Sequence, residues 1–412
     1  MGDVFVEQLV QTPVEQQGIE LVERKGLGHP DSICDSIANH ASVALCQEYN
    51  NAFGRILHHN LDKALLVAGS SSPRIGGGTI EKPMRLILGD RATAAFQGKS
   101  IDVQGIVIEA AKDWMRRNLR LVDPERHVIF QSEIRAGSPE LTNIFERGRM
   151  VANDTSAAVG FAPFTLTEQT VFSVEKYMNS PQFKQQFPET GEDIKVMGLR
   201  HKRELHLTIA VAFVDRFVAD SRTYFARKGE IANSLSRYLG PLQRDYERIK
   251  VDINALDDRL RSDDGMYLTV LGTSAEGADS GQVGRGNRVN GVISLNRPQS
   301  TEAHAGKNPV SHVGKIYSYF SSHVAQQIAS KVNGIREVYV QLCSQIGRPI
   351  DKPLTTSLKL ILEPGASLDD VRADAESVAA EELARMNEFA SMLATDDFYR
   401  TWEQGMRCDC CS

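Results

Sequence analysis

GTSAEGADSGQVGRGNRVNG, residues 272–291, follows the apolar run YLTVL at 267–271. Its glycines at 272, 277, 281, 284, 286 and 291 are too dense for a regular element. Such a loop lets backbone N–H groups approach anionic oxygens, because glycine has no side chain to hold a ligand away. Arg285 and Arg288 add planar guanidinium forks suited to phosphate. Glu276 and Asp279 offer carboxylates to a metal, an ammonium group or a ribose hydroxyl. A flexible surface loop or an RNA-contacting loop shares this composition. The strand ahead of it and the charges of both signs favour a small-molecule site.

Outward from this loop, short runs rich in Val, Ile and Leu alternate with longer helical patterns. Strands are expected at 64–68, 84–88, 128–131, 205–214, 267–271, 338–342 and 358–362. Helices are expected at 31–49, 106–118, 166–178, 219–238, 310–332 and 368–392, the last as an exposed helix. In the first, Ile33, Ile37, Ala41, Ala44 and Leu45 recur at three- and four-residue spacing and make one apolar face. The alternation predicts an α/β or α+β fold with several sheets and no separable domains.

Two further segments resemble anion sites. ERKGLGHPDSICDSI, residues 23–37, places His29 and Pro30 at a helix mouth. A helix N-terminus attracts anions through its free N–H groups and its dipole. Asp31 and Asp35 fall four apart on one face, and two carboxylates near a phosphate call for a divalent cation such as Mg²⁺. AHAGKNPVSHVGKIY, residues 303–317, has Lys307 before the cap-like Asn308, with His312 and Lys315 in the turns beyond. A Gly-Ser-Pro-Glu turn at 137–140 repeats the glycine-then-proline helix start.

Common nucleotide signatures are missing. No Gly-x-x-x-x-Gly-Lys-Ser/Thr occurs, since Gly98-Lys99-Ser100 has Thr93 where a glycine belongs. No Gly-x-Gly-x-x-Gly follows a strand, and there is no Gly-x-Ser-x-Gly elbow. The residues point to a Mg²⁺-polyphosphate enzyme outside the common nucleotide folds.

Composition narrows the surroundings. A net charge of −6 argues against nucleic acid or an acidic membrane surface as partner. No apolar run approaches the roughly 18 residues of a membrane span. Six cysteines are sparse, and Cys34, Cys46 and Cys343 read as reduced core thiols, so a cytoplasmic location is expected. Cys408, Cys410 and Cys411 crowd a C-terminal tail, taken as 396–412 against a body of 1–395. Their spacing lacks the paired motif of a structural zinc site, and the tail is expected to be frayed and without a catalytic role.

ERKGLGHPDSICDSIA, ILHHNLDKALLVAG, PRIGGGTIEKP, ANDTSAAVGFAPF, GEDIKVMGL and the 272–291 and 305–317 blocks resemble the S-adenosylmethionine synthetases of archaeal type. The resemblance covers nearly the whole chain except its last twenty or so residues. It implies three similar α/β sub-units, interleaved about a pseudo-threefold axis, in a homodimer with active sites at the interface. It implies ATP and L-methionine as substrates, Mg²⁺ as cofactor, and K⁺ as a second cation to test. The alternative is a Mg²⁺-dependent triphosphatase without a methionine site.

The same resemblance suggests roles. His29 would stabilise the departing 5′ oxygen and Asp31 would bind Mg²⁺. Lys195 would stand at the reacting centre, with Arg285 and Lys307 on the triphosphate. Asp154 would hold the methionine ammonium, and Asp279 would reach substrate across the interface. Gly137, Ser138, Pro139 and Glu140 match an ATP loop, with Arg288 and His312 as further substrate contacts. The chain departs from the archaeal Gly-Gln-Gly-Ser pattern here, reading Arg135-Ala136-Gly137-Ser138-Pro139.

Overall fold

The computed structural model describes residues 4–137 and 150–405. In chain order its main elements fall into three runs. The first is β1 (Val4–Gln8), β2 (Ile19–Lys25), α1 (Pro30–Phe53), β3 (His59–Val67), β4 (Met84–Ala92), α2 (Val103–Asn118) and β5 (Val128–Arg135). The second is β6 (Ala157–Ala162), α3 (Leu166–Met178), β7 (Thr190–His201), β8 (Glu204–Val214), α4 (Ser221–Tyr238), β9 (Arg248–Ile253) and the short β10 (Leu268–Thr269). The third is β11 (Gly281–Gln282), β12 (Ile293–Ser294), α5 (Val313–Lys331), β13 (Ile335–Cys343), β14 (Thr355–Leu362), α6 (Leu368–Ala384), α7 (Met386–Met392) and α8 (Asp396–Gly405).

Each run contributes a helix, an antiparallel hairpin, a second helix and a strand parallel to the hairpin's second member. The hairpins are β3–β4, β7–β8 and β13–β14. The parallel strands are β5 on β4, β9 on β8 and, from the other end of the chain, β1 on β14. The strand leading into each run pairs in a different sheet. β2 adds to β7, β6 to β13 and β11 to β3, all antiparallel. Each sheet is therefore completed by a strand from a neighbouring run.

Each sheet packs one face on its own helices. Ile33, Ile37, Val107 and Ala111 meet Leu66, Leu86 and Leu88 in the first core. Val171, Phe172, Ile231 and Leu235 fill the second, and Ile316, Phe320, Val371 and Ala375 the third. The opposite face of the first sheet leaves Leu65, Val67 and Ile129 exposed at 40%, 37% and 46%.

Elements with a clear period match expectation, α3 residue for residue. Other expectations need correction. The helix expected at 368–392 is two, broken at Arg385, and it is not an exposed one. Val371, Ala375 and Ala379 are buried against the third core, where alanine suits a close approach. Asn308 is not a helix cap: α5 starts five residues later behind His312. Asn308 is buried instead, donating to the Leu57 carbonyl at 2.9 Å and accepting from Val310 N at 3.0 Å. The strand expected at 267–271 shortens to two residues. β2 and β7 were not expected as strands, because buried charges such as Glu20, Arg24, Glu192 and Asp193 break their apolar alternation. The cysteine cluster at 408–411 lies outside the described residues.

Candidate active site

β2 ends at Lys25 and the chain turns directly into α1. Pro30 opens the helix and His29 caps it, with Nδ1 accepting from Asp31 N at 3.2 Å. Lys25 Nζ lies 2.9 Å from Asp31 Oδ2 and 2.6 Å from the Arg285 carbonyl. The glycine loop crosses this mouth. Asp31 Oδ1 accepts from Gln282 N at 2.9 Å. Asp35 accepts from Gly284 N at 2.7 Å and Gly286 N at 3.0 Å. Glycine is required where the loop touches the helix. A Cβ at 281 would collide with the Pro30 carbonyl, and one at 286 with the Asp35 carboxylate.

The near end of the loop is anchored as firmly. Thr273 Oγ1 donates to the Gly28 carbonyl at 2.7 Å. Asp193 Oδ2 accepts from Ser274 N at 2.8 Å and Ser274 Oγ at 2.6 Å. Glu276 is buried, accepting from Val270 N at 2.7 Å and Leu271 N at 2.5 Å. It closes the loop and has no free carboxylate for a ligand. Asp35 likewise spends both oxygens on the loop. Burial pushes the Asp35 carboxyl up to about 7 and the Asp193 carboxyl up to about 6.

Lys195 stands directly across from Lys25 in the β7–β2 pairing, its Nζ 3.3 Å from Glu23 Oε1. Burial, with Lys25 and Lys195 nearby, takes His29 down to about 4 against the pull of Asp31 and Asp279. A neutral imidazole whose Nδ1 accepts carries its proton on Nε2. His29, Asp31, Lys195, Asp279 and Arg285 thus belong to one neighbourhood. Asp279 and Arg285 are exposed there, while Arg288 has a buried Nε with no hydrogen-bond partner.

Lys307, Asp154, His312 and Gly137 form a second neighbourhood. Lys307 bridges to Asn60 at the start of β3, whereas the glycine loop pairs at Leu66. The loop runs on to Ala64 and Gly284 abuts Ala303, while Gly306 meets Leu61, so the two groups sit about three strand residues, roughly 10 Å, apart along β3. Lys307 is buried between Asp62, at 3.6 Å, and Glu302. Desolvation lowers its ammonium despite these acids. His312 caps α5, accepting from Gly314 N at 3.3 Å, and burial takes it down to about 3. Asp154 is exposed and accepts from Thr155 N at 2.7 Å. Gly137 abuts His58, where a Cβ would clash with the ring. Ser138, Pro139 and Glu140 lie outside the described residues. Lys315 faces neither neighbourhood's open side: it is fully buried, 2.6 Å from Asn39 Oδ1 and 3.2 Å from the Tyr399 hydroxyl.

Sequence reasoning missed Lys25, Asp193, Asp62 and Glu302. Lys25 sits inside a motif already singled out, and its place beside Pro30 was the available signal. Asp193 and Asp62 also lie inside quoted blocks and Glu302 just before one, but the partners that fix their places, Ser274 for Asp193 and Lys307 for Asp62, are far along the chain.

Among the described residues no three His, Cys, Asp or Glu side chains gather to hold a metal. The donor set here is a single carboxylate, Asp31, whose Oδ1 accepts from Gln282 N and whose Oδ2 lies 2.9 Å from the Lys25 cation, the place an ion would take. That suits an ion such as Mg²⁺, which takes one or two protein carboxylates and completes its shell with phosphate and water.

Residues 2–397 match the family model described as S-adenosylmethionine synthetase (AdoMet synthetase). The S-adenosylmethionine synthase of Pyrococcus furiosus is 46% identical over 398 residues, 96% of this chain and 98% of that protein. That of Methanothermobacter thermautotrophicus is 44% identical over 395 residues, covering 95% and 98%. The solved structure of an unusual S-adenosylmethionine synthetase from Campylobacter jejuni superimposes with a TM-score of 0.57 at 15% identity. It covers 95% of this chain and 100% of that one, a likeness of fold. By family model, by relatives and by fold, this chain belongs to the S-adenosylmethionine synthetase family.

Proposed function

We propose that the chain performs its family's reaction at the mouth of α1, making S-adenosyl-L-methionine from L-methionine and ATP. The methionine sulfur forms a bond to C5′ while the C5′–O5′ bond breaks, and the electron pair leaves with the triphosphate. The triphosphate is then hydrolysed to pyrophosphate and phosphate. A thioether has no proton to lose, so the first step needs no general base. What it needs is alignment and compensation of charge on the leaving group.

The observation that carries this reading is His29, neutral, with Nδ1 engaged by Asp31 N and its Nε2–H free to donate. That donor would meet the departing 5′ oxygen. Lys195 and Arg285 would take up charge on the triphosphate. Asp31 would hold Mg²⁺, which when bound offsets phosphate charge in both steps. K⁺ is the second cation to test. In the other neighbourhood Asp154 would receive the methionine ammonium. Lys307 would exchange a carboxylate for phosphate, with His312 and the loop from Gly137 to Glu140 as further substrate contacts there, while Arg288 would contact substrate from the glycine loop.

Each active site would lie between the two copies of a homodimer, with Asp279 reaching across. The three strand-exchanging runs would then sit about a pseudo-threefold axis, with 396–412 appended to the 1–395 body. Free thiols at Cys34, Cys46 and Cys343 agree with a cytoplasmic enzyme. No described helix is long and apolar enough to cross a membrane.

The test is incubation with ATP, L-methionine and Mg²⁺, with chromatography for the sulfonium product and separate phosphate and pyrophosphate assays. Equal yields of all three, lost on chelation, are expected. Phosphate without the sulfonium product would leave only the triphosphatase alternative, which family membership does not favour.

A further inference from the structure

The helix α8 begins where the family match ends, at residue 397, and docks on all three runs of the fold. Asp396 Oδ1 lies 3.1 Å from His40 Nδ1 on α1. Glu403 lies 2.6 Å from Lys176 Nζ on α3 and 3.8 Å from the Arg24 guanidinium on β2. Trp402 packs edge-on against Tyr319 of α5 and stacks on Phe398.

One of its contacts reaches the glycine loop, and another reaches the buried Lys315. The Trp402 indole N–H donates to the Val289 carbonyl at 2.6 Å, inside the glycine loop. The Tyr399 hydroxyl accepts from Lys315 in the first turn of α5, at 3.2 Å. Between helix and loop lies a chamber of about 580 Å³, bordered by Asp35, Asn39, Arg288, Tyr399, Trp402 and Glu403. On this side residues 287–291 are held at their ends by Asn287, paired with the Lys25 backbone at 2.7 and 2.9 Å, and by Arg24 on the Gly291 carbonyl, and between them the Trp402 hydrogen bond fixes the Val289 carbonyl. The far side of the same loop carries Arg285 and is pinned by Asp31 and Asp35.

We propose that α8 is a positioning element for the triphosphate end of the active site, with Trp402 holding residues 287–291 in place. It rests on the loop's phosphate role proposed above. Trp402 acts through the loop and touches no substrate.

The test uses the full chain with Trp402→Phe, which keeps an aromatic ring and removes the donor, and Trp402→His, which keeps a ring N–H. Hydrogen exchange of peptides covering 281–292, without substrates, reads loop order apart from any reaction. The expected result for Trp402→Phe is loop exchange about fivefold faster, the worth of one net hydrogen bond. Its KM for ATP and for inorganic tripolyphosphate should rise by a similar factor, with Tm and methionine KM near wild type. Trp402→His should recover part of the loss. Wild-type exchange and KM in Trp402→Phe overturn the proposal, because ring packing then suffices. Melting of both variants more than about 10 °C early also overturns it, because α8 is then only part of the folded body. Faster exchange without any KM change keeps the strut but overturns its role at the site. A wild-type protein that made no sulfonium product would sink the functional reading and leave the exchange result standing.

Discussion

At the scale of single residues, His29 joins two tasks that can be separated. Its Nδ1 caps α1, which leaves Nε2–H as the donor for the departing oxygen. Asparagine caps helices about as well as any residue, so His29→Asn should keep the cap and lose only that donor. Synthesis should fall about 10²- to 10³-fold, as when one oxyanion donor is removed, with Tm within a degree or two. A variant that keeps more than a tenth of the wild-type kcat would take His29 out of the chemistry. Lys195 gives a parallel case. Its side chain is 40% exposed beside Glu23, a pair that contributes little to stability. Lys195→Ala should therefore lose about 10²-fold or more in kcat while melting like the wild type. Near-normal turnover would remove Lys195 from the site.

At the scale of elements, the sequence was informative where contacts are local. The apolar stripe of α1, its Pro30 start and the glycine density of 272–291 each follow from neighbours along the chain, and each is found in place. What was not legible depends on distant partners. β7 carries Glu192 and Asp193 into the interior because Ser274, eighty-one residues on, donates two hydrogen bonds to Asp193. Nothing in GEDIKVMG signals that partner. Asp35 looked like a metal ligand by its spacing from Asp31, but its oxygens are taken by Gly284 and Gly286, some 250 residues away. The attachment of α8 yields a prediction of its own. Hydrogen bonds to Asp396 and Asp113 raise the pKa of His40 on α1, against partial burial. A raised histidine stabilises the folded state fully below its unfolded value of 6.5, and the gain is lost as pH climbs through the folded value. Tm measured from pH 6 to 9 should therefore decline more in the wild type than in His40→Gln. Equal slopes would show that the His40 pair does not hold α8.

At the scale of the whole molecule, strand exchange makes the three runs interdependent. Removing any run strips a strand from another run's sheet, as β2 is shared with β7 and β11 with β3. That interdependence gives a rigid body, yet it leaves one surface unexplained. Leu65, Val67 and Ile129 lie together on the outer face of the first sheet, in register through Ile87 and Arg85. Scattered exposed apolar residues are ordinary, and Arg85 lies between Val67 and Ile129, but three on one sheet face make a candidate contact. The glycine loop joins the edge of this face at Leu65 and Leu66. If the proposed homodimer closes over this face, the active site borders the contact. Leu65→Asp puts a charge in that contact without entering the core, since Leu65 is 40% exposed. It should shift the protein from dimer to monomer in light scattering, with Tm reduced only by the lost association. Synthesis should fall at least tenfold and recover as protein concentration is raised, because the missing half of the site is supplied by mass action. A Leu65→Asp protein that stays dimeric places the interface elsewhere. One that is monomeric and fully active would mean that each chain holds a complete site.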